Sequence, residues 1–388
     1  MPRPTRAASP RLPQLDVLRG LAVLLVLGHH QWTCALWQRV GWVGVDLFFV
    51  LSGFLVAGLL FAEQRRHGDL DLKRFFIRRG FKIYPSYYLF LVLAIPLAWA
   101  ADRPVRWDLW LGEALFVSNY RGYNWSHTWS LCVEEHFYLA LGLGLLWLRR
   151  RNPGRPDPFR ELPSWVAALC ALALLLRIER AAYWQWTLRT HYMPTHIRMD
   201  SLLFGVLLAY LYHFHEERLA GWVRPRLRLI AYTSLALLLP CAFLDVFEPL
   251  MATFGYSGLY LGFGGVLLCA LYWREESPPL FSAMLRPAAA VLARIGYHSY
   301  SIYLWHLPFM FLTPRLVGHA EPLRDSRELA FYLLASLSVG IFMGTLVETP
   351  FLCLRDRLFP SRSRALSVPQ GGEAGSLPPG VVPAAPGA

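Results

Sequence analysis

Ten long apolar stretches dominate the sequence and constrain its fold more than any other feature. A helix that spans a bilayer needs about 20 largely apolar residues. Stretches of this kind lie at residues 17–37, 43–62, 83–101, 127–148, 163–182, 199–215, 229–247, 256–273, 298–316 and 329–352. Hydrophobic residues make up 55% of the 388-residue chain and charged residues only 16%, whereas a soluble domain is about a quarter charged. We therefore expect an all-α fold, a polytopic membrane bundle with about ten transmembrane helices.

Positive charge is distributed unevenly between the loops, and this predicts the orientation. Loops rich in arginine and lysine stay on the cytoplasmic side of a membrane. Both tails are basic, as are the loops at 63–82, 149–155, 216–228 and 274–297, whereas the alternate loops carry less positive charge. Both termini should therefore be cytoplasmic, in a multi-pass protein of the plasma or inner membrane. Since topology explains the net charge of +12, no nucleic-acid partner is expected.

The chain divides into three parts. Residues 1–13 form a basic cytoplasmic leader, residues 14–353 a membrane domain, and residues 354–388 a cytoplasmic tail rich in proline and glycine. The tail has no periodic apolar face, so we expect it to be disordered. Residues 107–120 are too short to cross the bilayer, and we expect an interfacial or re-entrant helix there. The six cysteines lack metal-binding spacing, so no metal site is predicted.

Ionisable residues within apolar spans indicate function, because charge in hydrocarbon is costly. His30 lies about 20 Å above the cytoplasmic start of the first span, at 1.5 Å per residue. The fourth span runs in the opposite direction and places Glu135 about 10 Å below its outer end, at the level of His30. A carboxylate beside an imidazole sets the tautomer and basicity of a general base. Glu134 and Glu135 are about 100° apart around the helix, so we expect Glu135 to face His30, with Glu134 as the alternative.

Cations below this level indicate the type of substrate. Arg19 lies eleven residues before His30, about 16 Å lower along the helix. Arg78, Arg79 and Lys82 belong to a basic loop that runs into the third span. A substrate that reaches all of these residues needs anionic groups at one end of a thin arm and a reactive centre at the other, which is the shape of an acyl-CoA thioester. Taken alone, the loop agrees with the topology rule for positive charge; together with the deep histidine and glutamate, it favours phosphate binding.

Seven stretches, in order, make the chain similar to a known family. They read LDVLRGLAVLLVLGHH, GVDLFFVLSGFL, FFIRRGFKIYP, TWSLCVEEHFYL, RMDSLLFGVLLAY, SYSIYLWHLP and ETPF. The chain resembles the acyltransferase type 3 family of integral membrane O-acyltransferases along nearly all of residues 14–353. The resemblance implies transfer of an acyl group, commonly acetyl from acetyl-CoA, to hydroxyls of carbohydrates or of other cell-surface or secreted molecules.

The resemblance also implies roles for individual residues. It implies that His30 is catalytic and that Arg19, eleven residues earlier, belongs to the same site. The family's Arg-x-x-Arg motif, thought to hold the donor, reads Arg79-Gly-Phe-Lys82 here. Lysine is a point charge where arginine binds phosphate with two hydrogen bonds, so Arg78 is included among the donor-binding candidates. The family's SLSVEEQFYL stretch reads SLCVEEHFYL in this chain and carries over both glutamates of the fourth span.

Other positions on these motifs are candidates for a pocket, and most of them have two interpretations. The possible pocket residues are Asp46, Arg198, Asp200 and His306. The two aspartates either bind the acceptor or are hydrated carboxylates at the outer ends of their spans. His306, about 10 Å from the inner face by helix rise, either lines the donor path or forms a hydrogen bond across helices.

The sequence therefore predicts an integral membrane O-acyltransferase. No cofactor is expected to be bound; acyl-CoA, acetyl-CoA by the resemblance, is the cosubstrate, and the partners are a hydroxyl-bearing acceptor, such as a carbohydrate, and the lipid bilayer. His30 acts either as general base or as the carrier of a transient acyl group. One alternative is a secondary transporter or proton-coupled permease that uses the same histidine, glutamate and arginine residues. Another is a polytopic glycosyltransferase, which would favour acidic loops that hold a divalent metal.

Overall fold

The computed structural model describes residues 12–31, 33–273, 279–317 and 325–362 of the chain. Within these ranges the protein is helical and has no strand, which confirms the all-α prediction. The α-helices are α1 Pro13–His29, α2 Ala35–Val40, α3 Gly44–His67, α4 Leu72–Ala100, α5 Trp107–Ala114, α6 Ser118–Arg121, α7 Thr128–Arg151, α8 Leu162–Tyr183, α9 Leu188–His191, α10 Met199–Phe214, α11 Glu216–Val223, α12 Leu227–Leu238, α13 Tyr256–Tyr272, α14 Pro279–Tyr297, α15 Ser299–Val317, α16 Ser326–Met343 and α17 Thr349–Leu358.

Six helical segments of the described chain are long and apolar enough to cross a bilayer. They are Ala35–His67, Leu72–Ala100, Thr128–Arg151, Leu162–Tyr183, Met251–Tyr272 and Ser326–Leu358. Helix α10 is apolar but has only 16 residues. The fold is thus that of a multi-pass membrane protein. The count of ten spans and the cytoplasmic location of both termini stay predictions.

Several helices meet at one end of the bundle, which we call the basic end. The last turns of α3, α7 and α17 carry eight basic residues there: Arg65, Arg66, His67, Arg149, Arg150, Arg151, Arg355 and Arg357. Arg149 of α7 lies 2.5 Å from Asp69, which follows α3. Arg362, which follows α17, lies 3.2 Å from Glu63 of α3. We call the other end of the bundle, where α3, α7 and α10 begin, the far end.

The far end is covered by α5 and α6, which occupy the segment predicted to form one short helix. The buried carboxylate of Glu113 in α5 accepts hydrogen bonds from the backbone N–H of Trp125 at 2.7 Å and from the side chain of Asn124 at 3.3 Å. Burial raises the pKa of the Glu113 carboxyl to about 7, although these hydrogen bonds oppose the shift. The contacts hold α5 against the residues that precede α7, so α7 begins beneath this cover.

Helices α3 and α10 approach each other closely because glycine lies in their contact. A Cβ atom on Gly53 would lie 2.0 Å from the carbonyl oxygen of Leu202, and one on Gly205 would lie 2.2 Å from that of Val50. Small residues permit this kind of backbone approach between helices in a membrane. The contact leaves another face of α3, which carries Ser52 and Leu55, to line the site described below.

Parts of the predicted organisation lie outside the described residues. The leader is described only at residues 12 and 13, and the tail only to residue 362. Within the described part, α17 extends to Leu358, beyond the expected boundary at residue 353. Residues 359–362 contact α3 and α4 through hydrogen bonds and an ion pair.

Candidate active site

A cavity of about 810 Å³, including the space at its mouth, lies among α1, α3, α4, α7 and α15. Its charged lining consists of Arg19, Arg79, Lys82 and Glu134. The remaining lining residues are Val45, Phe48, Phe49, Leu51, Ser52, Leu55, Val56, Ile83, Ser130, Leu131, Tyr138, Ser299, Tyr300 and Tyr303. Three cations against one carboxylate leave a positive excess in a wall that is otherwise largely apolar. Such a cavity suits a ligand that has both an anionic and an apolar part.

The structure brings together three of the four predicted donor-binding residues and separates the fourth. Arg79 and Lys82 are three residues apart on α4, so they share one face of the helix. Arg78 is about 100° away around the helix. It lies 3.0 Å from Asp356 and donates a hydrogen bond to the carbonyl oxygen of Phe359. Arg78 is therefore held by α17 and the residue after it, outside the lining of the cavity.

The cations of the cavity are oriented by aromatic and acidic neighbours. The guanidinium of Arg79 lies 4.2 Å from the ring centre of Tyr138. Tyr138 in turn donates a hydrogen bond to Glu134 at 2.7 Å. The Nε atom of Arg79 is buried and has no hydrogen-bond partner among the described residues. This arrangement fixes the guanidinium in place and keeps at least one of its donors available.

Lys82 forms an ion pair with Glu348, which lies in a π-helical turn between α16 and α17. Ser301 donates a hydrogen bond of 2.9 Å to the other carboxylate oxygen of Glu348. Arg19 is close enough to interact electrostatically with both Lys82 and Glu134. Glu348 lies in the ETPF stretch but was not among the predicted site residues.

Three histidines form a cluster toward the far end of the bundle. The ring centres of His30 and His306 are 5.2 Å apart, and those of His306 and His127 are 5.3 Å apart. His29 lies 5.1 Å from His30 by the same measure, and its Nδ1 is bonded to the carbonyl oxygen of Gln38 at 3.0 Å. Among the described residues, no group of three or more histidine, cysteine or acidic side chains is arranged to hold a metal ion.

Hydrogen bonds fix the orientation of two rings in this cluster. Nδ1 of His306 lies 2.5 Å from the carbonyl oxygen of Tyr303, and Nε2 of His127 lies 3.0 Å from that of Leu304. A carbonyl oxygen only accepts hydrogen bonds, so each of these nitrogens carries the proton. The other nitrogen of each ring is buried without a hydrogen-bond partner among the described residues. In their neutral forms, both rings therefore have a free lone pair within the cluster.

Tyr303 connects the cavity to the histidine cluster. It lines the cavity, and its hydroxyl donates a hydrogen bond of 2.9 Å to the carbonyl oxygen of His127. The same hydroxyl lies 2.7 Å from Oγ of Ser130, another lining residue. The Tyr303 ring is 5.5 Å from that of His306 by ring centres. The cavity therefore extends to within one helical turn of the histidines.

The structure does not bring Glu135 to His30. Among the described residues, Glu135 accepts a hydrogen bond of 3.0 Å from Tyr84, and the ring neighbours of His30 are histidines. The hydropathy pattern predicts that the fourth span starts at the membrane surface. In the structure α7 begins beside the histidine cluster, under α5 and α6. Glu135 is eight residues beyond His127 and so lies about 12 Å further toward the basic end.

Asp46, Arg198 and Asp200 belong to a buried ion-pair network rather than to the cavity lining. Nη2 of Arg198 lies 2.9 Å from both carboxylate oxygens of Asp46, and both side chains are fully buried. Nη1 of Arg177, from α8, lies 2.6 Å from Asp200. The carboxylates are thus not hydrated groups at the ends of spans, as one interpretation held. Arg177 was missed, although a charge within the apolar span 163–182 is itself a signal.

Comparisons with known proteins identify the family of the chain. The family model described as an acyltransferase domain matches residues 12–347. The peptidoglycan O-acetyltransferase OatA of Listeria monocytogenes is 29% identical over 83% of this chain and 53% of its own length. The O-acetyltransferase OatA of Staphylococcus aureus is 29% identical over 78% of this chain and 51% of its own. The putative peptidoglycan O-acetyltransferase YrhL of Bacillus subtilis is 27% identical over 78% of this chain and 49% of its own length.

The chain thus spans about half the length of the curated relatives it matches. No solved structure matches the chain.

Proposed function

Because the chain belongs to the family of acyltransferase domains, we propose that it is a membrane O-acetyltransferase that moves an acetyl group from acetyl-CoA to a hydroxyl of a carbohydrate. The observation that carries the proposal is the cationic cavity whose lining residue Tyr303 lies 5.5 Å, by ring centres, from His306 of the histidine cluster. The names of the relatives, peptidoglycan O-acetyltransferases among them, support acetyl as the transferred group and a cell-wall glycan as the acceptor class.

The two ends of the bundle receive different substrates in this proposal. Positively charged loops stay on the cytoplasmic side, so the basic end faces the cytoplasm, where acyl-CoA is made. The donor enters from this end. The acceptor reaches the far end from the outer side of the membrane. The histidine cluster lies between the two routes, which allows transfer across the membrane without release of the acetyl group.

Donor binding is assigned to the cations of the cavity. Arg19 and Arg79 bind phosphate oxygens through charge-assisted hydrogen bonds, and arginine forms these with a paired geometry that lysine lacks. Lys82 adds a point charge that attracts the phosphates of the donor as well as Glu348. The apolar wall accommodates the thin pantetheine arm, which carries the thioester toward Tyr303. Arg78 is not part of this assignment because Asp356 and Phe359 hold it.

His30 is assigned as the general base. Its imidazole takes the proton from the acceptor hydroxyl while the hydroxyl oxygen attacks the thioester carbonyl. The carbon–sulfur bond then breaks, and the leaving thiolate receives the proton from the imidazolium. A variant in which His30 first carries the acetyl group and then passes it to the hydroxyl uses the same atoms. Glu134 acts on the donor side by holding Tyr138 against Arg79.

The test compares the wild type with His30→Gln in purified protein supplied with acetyl-CoA and peptidoglycan strands. Release of free CoA and the acetyl mass on the glycan are measured together. The wild type should show both, and His30→Gln should lose both by a factor of about 10² or more, the contribution typical of a general base. His67→Gln, at an exposed histidine of the basic end, is the matched control and should retain activity.

Two results would contradict the proposal. One is full transfer by His30→Gln. The other is movement of a substrate across the membrane without consumption of thioester, which is what a transporter would show.

A further inference from the structure

An arginine-rich groove lies at the far end, apart from the cavity and the histidine cluster. Its open volume is about 1090 Å³, and its walls include Arg106, Arg121, Arg189, Leu109, Tyr123 and Leu188. We propose that this groove binds the acceptor as an anionic glycan strand on the outer side of the membrane. The inference rests on the proposed function and adds to it a binding site and the charge of its ligand.

The charge of the groove is positive and only partly compensated. Arg106, before α5, forms an exposed ion pair with Asp108 at 2.7 Å. Arg121, at the end of α6, and Arg189, in α9, have no ion-pair partner among the described residues and are exposed. Three arginines against one aspartate leave two positive charges in excess. The groove therefore has an electrostatic preference for an anion.

Membrane topology does not account for these arginines. Positive residues accumulate in cytoplasmic loops, whereas α5, α6 and α9 lie at the end opposite the basic end. The arginines also come from three separate elements and line one groove. Arg189 is packed beside the chain at Gly122, since a Cβ atom on Gly122 would lie 3.9 Å from its Nη1. This convergence gives the groove the character of a binding site for an extended ligand.

The groove and the histidine cluster are connected by a short segment of chain. Tyr123 lines the groove and His127 belongs to the cluster. Four residues span at most about 14 Å even when fully extended. The groove therefore lies at the same end of the bundle as the cluster, with Tyr123 within about 14 Å of His127.

The chemistry of the walls fits a carboxylate-bearing glycan. Arginine recognises carboxylates through paired hydrogen bonds, and the apolar surfaces of Tyr123, Leu109 and Leu188 suit the carbon-bound faces of sugar rings. A groove this open suits a polymer better than an enclosed small molecule, whose sites bury most of the ligand. Strands of cell-wall glycan with free carboxyl groups on their peptides combine these features.

The experiment uses the full-length protein in nanodiscs of zwitterionic lipid. The probes are soluble, uncrosslinked peptidoglycan strands with free carboxyl groups and the same strands with those groups amidated. Binding is measured without donor, and acetyl transfer is measured separately with acetyl-CoA. The variant is Arg121→Gln with Arg189→Gln, and the control is Arg327→Gln, at another exposed arginine of the far end, outside the groove.

The double variant should bind the anionic strand about five- to tenfold more weakly than the wild type, because it loses two exposed arginine–carboxylate pairs and each such pair contributes only modestly in water. The KM for that strand should rise by the same factor and the KM for acetyl-CoA should stay constant. Added salt should weaken binding of the wild type more than that of the double variant. Arg327→Gln should bind the anionic strand as the wild type does. The amidated strand should bind the wild type and the double variant equally.

Equal affinity of the wild type and the double variant for the anionic strand would overturn the inference. A loss of affinity in the double variant that is equally large for the amidated strand would also overturn it. So would a loss of affinity that appears only when anionic lipid is added to the nanodiscs, because that result would assign the arginines to lipid headgroups. Because binding is measured without donor, absence of acetyl transfer by the wild type contradicts the proposed function and leaves the binding result to be judged by itself.

Discussion

The buried pair of Asp46 and Arg198 provides a quantitative test of the fold. Both side chains are fully buried, and Asp46 receives two contacts of 2.9 Å from Arg198 and a hydrogen bond of 3.2 Å from Ser201. Asp46→Ala removes the carboxylate that neutralises the buried guanidinium of Arg198. The ring of Tyr256, whose centre is 4.1 Å away, then remains as a cation–π partner of the guanidinium. Removal of one partner of a buried pair costs about 3–5 kcal/mol. We therefore expect the free energy of unfolding to fall by that amount.

The double variant Asp46→Ala with Arg198→Met separates the ion pair from simple loss of volume. Because it removes both partners and leaves neither charge of this pair buried alone, it should be more stable than Asp46→Ala alone, as replacement of a buried pair by apolar groups is often close to neutral. Denaturation by SDS in bicelles, followed by tryptophan fluorescence, measures the free energy of unfolding. Asp108→Ala, in an exposed ion pair, is the control and should leave it unchanged.

Two results would refute this reasoning. The first is an Asp46→Ala variant as stable as the wild type. The second is a double variant whose loss equals the sum of the two single losses, since groups in direct contact should not be additive. If the double variant is folded but transfers no acetyl group, the pair acts in transfer as well as in folding, which agrees with the interpretation of Asp46 as an acceptor-binding residue.

Three further predictions follow from the geometry. Lys82→Gln should raise the KM for acetyl-CoA roughly ten- to hundredfold, because it removes a charge-assisted hydrogen bond of about 1.5–3 kcal/mol. Arg78→Gln should change this KM by no more than about twofold, because Asp356 holds Arg78 outside the cavity. Burial raises the pKa of Glu113 to about 7, so the folded state binds the proton more tightly than the unfolded state. The stabilisation from this proton is fully present below about pH 4.5, and the free energy of unfolding should fall by about 3 kcal/mol as the pH rises to 7. Glu113→Gln should flatten this dependence of the free energy of unfolding on pH, and an unchanged dependence would contradict the prediction. Gly53→Ala should lower the free energy of unfolding by at least about 1–3 kcal/mol through overpacking, because its Cβ atom would meet the backbone of Leu202, whereas Gly144→Ala, with open space around it, should not.

The cationic lining of the cavity could be predicted from the sequence because local helical spacing determines much of it. Arg79 and Lys82 share a face of α4 at a separation of three residues, and Arg19 lies about one-third of the way along α1. Both relations depend only on the helical repeat. Arg78 shows the limit of that reasoning, since a partner more than 270 residues away in sequence, Asp356, decides where its side chain is held.

The histidine cluster could not be predicted because it depends on where α7 begins relative to the bilayer. A hydropathy pattern gives the length of a span but not its depth, and α5 and α6 cover the start of α7 in the structure. His127 therefore joins His30 and His306, while Glu135 lies about 12 Å away along the helix. Nothing in the spacing of His127 within HTWSLCVEEHFYL distinguishes it from a surface residue.

In the proposed mechanism the donor and the acceptor approach the histidine cluster from opposite sides of the membrane. Sealed vesicles with the cytoplasmic face outward, loaded with glycan strands and given labelled acetyl-CoA outside, separate the two sides. The label should appear on the enclosed glycan with the wild type and not with His30→Gln, and vesicles of the opposite orientation should give none. Transfer that requires donor and glycan on the same side, or that is equal in both orientations, would contradict the mechanism.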